Sequence, residues 1–175
     1  MCSIRITPHI VSDRLALRPL SPRDATRIAA LANDIAVAGM VSRMPHPYAI
    51  EDAQAFLAID FDPEREVNFA IDHHDHGLIG LLGFHGDDRR QPELGYWLGR
   101  DFWGQGLATE ATDAALVWAS REWGKRAVQA RHYADNPASG AVLNKAGFLY
   151  TGAVTLAQSL ARAAPAPSRH MMWLA

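Results

Sequence analysis

The stretch Trp97-Leu98-Gly99-Arg100-Asp101-Phe102-Trp103-Gly104-Gln105-Gly106-Leu107-Ala108-Thr109-Glu110-Ala111 constrains this chain more than any other. An apolar, strand-like run enters two closely spaced glycines and continues without a break into a helix-forming segment. A helix that starts on glycines offers several unpaired backbone N–H groups and the positive end of its dipole, which suits a phosphate or pyrophosphate. The turn is not a P-loop, because Leu107 follows Gly106 and no lysine is there to meet a terminal phosphate. It matches the dinucleotide fingerprint only in part: Gly104 and Gly106 stand at the first two glycine positions, and Thr109 occupies the third. Taken alone, the spacing leaves open both an anion site and a plain strand-to-helix turn.

At 175 residues, 49% hydrophobic and 21% charged, the chain has the size and apolar content of a single domain spanning residues 1–175. A net charge of −2, with the 17 Lys and Arg scattered, provides no basic field for nucleic acid. The one cysteine, Cys2, excludes an intrachain disulfide and a cysteine metal cluster. Met1-Cys2-Ser3-Ile4-Arg5 lacks a signal-peptide core and no run of about 18 apolar residues occurs, so the expectation is a cytoplasmic protein without a membrane partner.

The pattern along the chain alternates strands and helices. Ala16 to Leu20 reads as a strand, and Ser21 caps a helix opened by Pro22 in which Ile28, Leu31 and Ala32 share a face. A Pro- and Met-rich loop from Gly39 to Tyr48 precedes a helix near Glu51 to Ile59. Asn68 to Asp72 and Leu78 to His85 read as a hairpin around a His- and Asp-rich turn. His73, His74 and His76 in that turn belong to a solvated hairpin rather than a metal site, since a mobile turn does not supply fixed tetrahedral geometry. Then come a strand at Glu93 to Gly99, a helix from Ala108 to Trp123 ended by Gly124, and a strand at Val128 to Ala134. A short helix from Ala138 to Ala146 and strands at Phe148 to Leu156 and His170 to Leu174 follow. The Ala- and Pro-rich stretch Ser159 to Ser168 is a long hairpin connection that borders a cleft.

Four separated segments occur in a telling order: Arg14-Leu15-Ala16-Leu17-Arg18-Pro19-Leu20 leading to Ser21-Pro22-Arg23-Asp24-Ala25; Pro45-His46-Pro47-Tyr48 before Glu51-Asp52-Ala53 and Phe56-Leu57; Glu93-Leu94-Gly95-Tyr96-Trp97-Leu98 with the glycine turn; and Asn136-Pro137-Ala138-Ser139 followed by Leu143-Asn144-Lys145-Ala146-Gly147-Phe148. In this arrangement the chain resembles the GNAT family of acetyl-coenzyme A-dependent N-acetyltransferases, within it the RimJ/RimL-like branch. The resemblance implies an α/β fold: a mixed, mostly antiparallel sheet of about seven strands, helices on both faces, and two central strands that splay to admit coenzyme A. It implies acetyl-CoA as co-substrate with no metal, an amine acceptor that is a protein amino terminus or a small molecule, and a monomer or homodimer.

The resemblance also places roles on residues. The backbone of Trp103, Gly104, Gln105, Gly106, Leu107, Ala108 and Thr109 would cradle the pyrophosphate; many relatives have Arg or Gln where this chain has Trp103. Main-chain groups of Trp97, Leu98 and Gly99 would bind the pantetheine arm and polarise the thioester carbonyl. Asn136, Ser139 and Lys145 complete the expected cofactor contacts, with a turn-forming role as the other reading of Asn136. Glu93 is the candidate base, its alternative being an exposed strand-end carboxylate; His85 and His132 are further candidates. Where many members carry a tyrosine as general acid this chain has Leu143, so Ser139, one helical turn earlier, is the candidate acid or else a helix cap. Ala108, Ala111 and Ala115 give the following helix a slim face, for the cofactor or for packing. Two other readings stand beside the transferase: a non-catalytic acyl-CoA-binding module, favoured only by the missing tyrosine, and a nucleotide-binding oxidoreductase, disfavoured by the absent third glycine.

Overall fold

The computed structural model describes residues 7–86 and 90–175; the stretch holding Cys2 lies outside them. Strands β1 (Ile10–Val11), β2 (Leu15–Pro19), β3 (Val67–His73), β4 (Gly77–His85), β5 (Glu93–Leu98), β6 (Ala127–Tyr133), β7 (Leu149–Ala157) and β8 (Ala166–Leu174) form one sheet in the order β1-β2-β3-β4-β5-β6-β8-β7. Every neighbouring pair is antiparallel except β5 and β6. The expectation of about seven strands is thus exceeded by one. The addition, β1, is two residues long, too short to carry a period of its own, and exists through its pairing with Ala16 and Leu17.

Helices α1 (Ala25–Ala32), α2 (Ile35–Ala38) and α3 (Ile50–Leu57) cover one face, and α4 (Leu107–Arg121) and α5 (Pro137–Lys145) the other. β3 and β4 are therefore covered on both sides, which is why Phe69-Ala70-Ile71 and Leu78-Ile79 read as unbroken apolar runs rather than alternating ones. Phe69, Ile79 and Phe84 face α4, where Trp118 stacks on Trp123 just past the helix end with ring centroids 5.3 Å apart. Ala70, Leu78 and Leu81 face α1 to α3, against Ile28, Ala32 and Ala53. The four-residue α2 is absent from the sequence reading because so short a segment shows no helical period; it forms because the Asp34 carboxylate accepts the Ala36 N–H at 2.9 Å.

Local signals set the entry to α1. Ser21 caps a short 3-10 turn, Pro22–Asp24, and the Asp24 carboxylate accepts the Ser21 N–H at 2.8 Å, a reciprocal capping box. The same buried carboxylate takes both Arg18 Nη atoms at 3.0 and 2.9 Å, and Arg18 also reaches Asp72 on β3. Asp24→Ala would leave the guanidinium half-paired and the Ser21 N–H without its acceptor. It is expected to lower stability by about 3 kcal/mol, read from the midpoint of denaturant unfolding.

The connection between β7 and β8 docks rather than hangs free. Ser159 Oγ donates to the Val41 carbonyl at 2.8 Å, and Arg162 Nε to the Gly39 carbonyl at 2.6 Å. Arg162 also forks onto Asp135 at 2.7 and 2.9 Å and lies over the Tyr133 ring. Among the described residues no helix is long and apolar enough to cross a membrane.

Candidate active site

β5 and β6 pair in parallel only at Glu93 with Gln129 and Leu94 with Ala130. Beyond those residues the strands part, and a cavity of about 620 Å³ occupies the opening. The chain leaves β5 through a 3-10 turn, Arg100–Phe102, and the glycine loop into α4, which is packed across the sheet face.

The ladder between β4 and β5 decides which backbone groups face this opening. The Gly99 N–H donates to the Ile79 carbonyl at 2.9 Å, and with Leu98 opposite Gly80 the alternation of an antiparallel pair turns the N–H groups of Trp97, Gly95 and Glu93 toward β4 as well. The N–H groups of Tyr96 and Leu98 are the ones directed at the gap. Of the three main-chain contacts expected from Trp97, Leu98 and Gly99, only Leu98 is so aimed; Trp97 and Gly99 spend theirs on β4, and Tyr96 replaces them. Gly99 is small for packing, since a Cβ there would meet Leu31 Cδ2 of α1 at 2.6 Å. One residue of strand parity, invisible without the register, separates the two assignments.

Past β5 the chain folds into the glycine turn on which an anion site was expected. Gly104 and Gly106 hold φ of +72° and +77°, a region that side chains other than glycine rarely adopt, and Gly106 is the N-cap of α4. The first intrahelical bond runs from the Glu110 N–H to the Gly106 carbonyl, leaving the N–H groups of Leu107, Ala108 and Thr109 without helical partners. Trp103 braces the loop by donating its indole N–H to the Leu98 carbonyl at 2.8 Å. Gln105 is outside the cavity wall; its amide donates to the Asp101 carbonyl and its own carbonyl accepts Arg14 Nη1 at 3.0 Å.

Arg14, which the sequence reading used only as a family marker, ties this loop to the front of the chain. Its Nε and backbone N–H both bond Glu110 at 2.8 Å, where Ser12 Oγ also donates at 2.8 Å. Burial alone would raise the Glu110 carboxyl, but these donors outweigh it and hold it below the ordinary carboxylate range. Of the three small α4 residues, Ala108 lines the cavity while Ala111 and Ala115 are buried in the core.

Across the gap stands the start of α5. Asn136 is its N-cap: Oδ1 accepts the Ser139 N–H at 3.2 Å. Ser139 is therefore not the cap, and its hydroxyl points instead at Tyr96, with the two oxygens 2.9 Å apart. Tyr96 is the functional candidate that sequence reasoning missed. The available signal was a phenol in an otherwise apolar strand, whose buried hydroxyl must find a partner. Burial pushes the Tyr96 phenol up to about 12, the Ser139 bond pulling slightly the other way, so it stays protonated and can donate throughout the neutral range. Leu143 is fully buried and offers no acid. Asn136 and Lys145 line the same cavity.

At the closed end of the opening, Glu93 Oε1 accepts Arg131 Nε of β6 at 2.9 Å. His85 lies beside it, with Nδ1 2.7 Å from the Glu93 carbonyl. His132 is buried with both ring nitrogens engaged, Nδ1 with the Tyr133 carbonyl and Nε2 with the Tyr150 hydroxyl. Met40, Val41, Met44 and Tyr48 of the Pro- and Met-rich loop wall the cavity on the α1 side.

Comparison with known proteins agrees with this geometry. Residues 14–149 match the acetyltransferase (GNAT) domain family. The chain is 30% identical over 151 residues to the uncharacterized N-acetyltransferase YoaA of Bacillus subtilis, spanning 83% of this chain and 85% of YoaA. It is 26% identical over 149 residues to YdaF of the same organism, provisionally named a ribosomal N-acetyltransferase, spanning 81% of each. Among solved structures, Mycobacterium smegmatis RimJ in complex with CoA-disulfide superposes with a TM-score of 0.83 at 20% identity, over 97% of this chain and 88% of that one. The glycine-capped helix, the parting strands and these matches together establish that the chain belongs to the GNAT family of acetyl-CoA-dependent N-acetyltransferases.

Proposed function

We propose that this protein acetylates a protein amino terminus or a small primary amine by direct attack on acetyl-CoA in a ternary complex, in the manner of the RimJ/RimL-like branch. The pyrophosphate sits on the N–H groups of Gly104 to Thr109, and the pantetheine arm runs between β5 and β6 past Asn136, with Lys145 reaching the cofactor from the end of α5. The thioester carbonyl takes the N–H groups of Tyr96 and Leu98, which stand fixed before charge develops on the oxygen; donors of this type contribute roughly 10²–10³ in rate. Glu93 supplies negative charge that draws the acceptor's ammonium to the closed end of the gap.

The observation that carries the reading is the Tyr96–Ser139 hydroxyl pair, which joins β5 to the start of α5 at the wall of the cavity. A protein that only held acyl-CoA would have no use for a proton donor at the crotch of the opening, whereas a transferase must return a proton to the departing thiolate. Ser139 makes that donation, and Tyr96 stands behind it. Calorimetric titration with acetyl-CoA, with NADH as control, followed by thiol release across a panel of amines and amino-terminal peptides, tests the reading. Acetyl-CoA binding with release on one acceptor supports it and names the acceptor class. Binding without release on any acceptor sinks it in favour of the non-catalytic module.

A further inference from the structure

His85 closes β4 directly opposite Glu93 on β5. A carbonyl oxygen can only accept, so the 2.7 Å contact between His85 Nδ1 and the Glu93 carbonyl places the ring proton on Nδ1. In the neutral imidazole Nε2 is then a bare lone pair, and among the described residues no hydrogen bond occupies it. The ring also reaches along β5. Its Cε1, the atom joining the two nitrogens, lies 3.7 Å from where a Cβ on Gly95 would stand, just past the last residues at which β5 and β6 remain paired.

We propose that His85 is the general base of this site, its Nε2 taking the proton from the acceptor's ammonium. The inference rests on the acetyl-transfer reading above. Of the two histidines in the cavity wall, His132 has both nitrogens occupied, and Glu93 is drawn toward Arg131.

The charged groups around the ring suit the task. Arg43 after α2, Glu66 before β3, Glu93 on β5 and Arg131 on β6 all act on it. Two ion pairs order them, Arg43 with Glu66 at 3.7 Å and Arg131 with Glu93 at 2.9 Å. Burial, seconded by Arg43, holds the imidazole below its ordinary value of 6.5 despite the carboxylates, so the ring is neutral at neutral pH. Glu66 and Glu93 then favour the arrival of an ammonium and the imidazolium that forms from it.

The protons balance as follows. One ammonium proton passes to Nε2 and from there to water, freeing the nitrogen lone pair to form the C–N bond. When the tetrahedral intermediate collapses, the C–S electron pair goes to sulfur, which takes the Ser139 proton. A second nitrogen proton, relayed by water, restores the serine hydroxyl.

Two measurements test the assignment. In His85→Asn the amide N–H can keep the bond to the Glu93 carbonyl while Nε2 is gone. With the best acceptor from the panel, kcat/KM is expected to fall about 10²-fold at pH 7. The deficit then shrinks about tenfold per pH unit as the free amine accumulates toward its own pKa, about 7.7–8.0 for an α-amine or 10.4 for an alkyl amine. A loss equal at every pH means a structural role and overturns the proposal. Independently of activity, NMR of imidazole-labelled wild-type protein is expected to show His85 protonated at Nδ1 and titrating below 6.5; an Nε2–H tautomer overturns it. If no acceptor in the panel releases thiol, the acetyl-transfer reading fails by itself, and the tautomer still decides whether His85 offers a base.

Discussion

Gly106→Val is expected to weaken acetyl-CoA binding at least tenfold, measured by calorimetric titration, while leaving the protein folded. Gly106 sits at φ +77° as the N-cap of α4, and a left-handed conformation costs a residue with a Cβ roughly 1–2 kcal/mol. A β-branched side chain pays at the upper end, and its Cβ would stand 3.7 Å from Arg14 Nη2, in the space between loop and guanidinium. The loop relaxes by turning its N–H groups away from the pyrophosphate, so the loss falls on affinity. Core packing is untouched, because Gly106 is exposed and α4 is anchored by Leu107, Ala111 and Leu116. An unchanged Kd would show that the phosphate site lies elsewhere.

Ser139→Ala is expected to lower kcat about 10²-fold with little change in acetyl-CoA affinity. The cap of α5 comes from Asn136, so the helix keeps its N-terminus when the serine hydroxyl is removed. What is lost is the proton delivered to sulfur. A thiol of pKa about 8.5 leaves without strong assistance, which bounds the effect. Tyr96→Phe is expected to lower kcat in the same direction, and the Tyr96→Phe, Ser139→Ala pair to cost no more than Ser139→Ala alone, since the two hydroxyls act as one donor. Turnover at the parent rate in Ser139→Ala would remove the serine from the mechanism.

The way particular elements came out of the sequence separates two kinds of information. The glycine turn was legible because positive φ is a local demand that few residues meet, and both glycines bear it out. Ser21, Pro22 and Asp24 marked the entry to α1 because capping is settled within four residues. The hairpin between β3 and β4 was readable from two apolar runs around a polar turn. Ser139 and Asn136 were found as a pair, but which one caps and which one faces the gap depends on Tyr96, 43 residues away. The choice among candidate bases was likewise closed to sequence, because it turns on which ring nitrogens have partners.

By itself the sequence determined the family, through separated motifs in order, and the alternation of strands and helices and the position of the glycine turn, since these last are written in contiguous residues through backbone conformation and apolar period. Only the tertiary structure decided which atoms face the reaction. The register of β5 on β4 turned the N–H groups of Tyr96 and Leu98, rather than those of Trp97 and Gly99, into the gap. The placement of α5 beside β5 brought the Tyr96 and Ser139 hydroxyls together, and the fold carried Arg14 to Glu110 across 96 residues of chain. Hydrogen-bond direction and strand parity are properties of paired segments, and no one segment contains them.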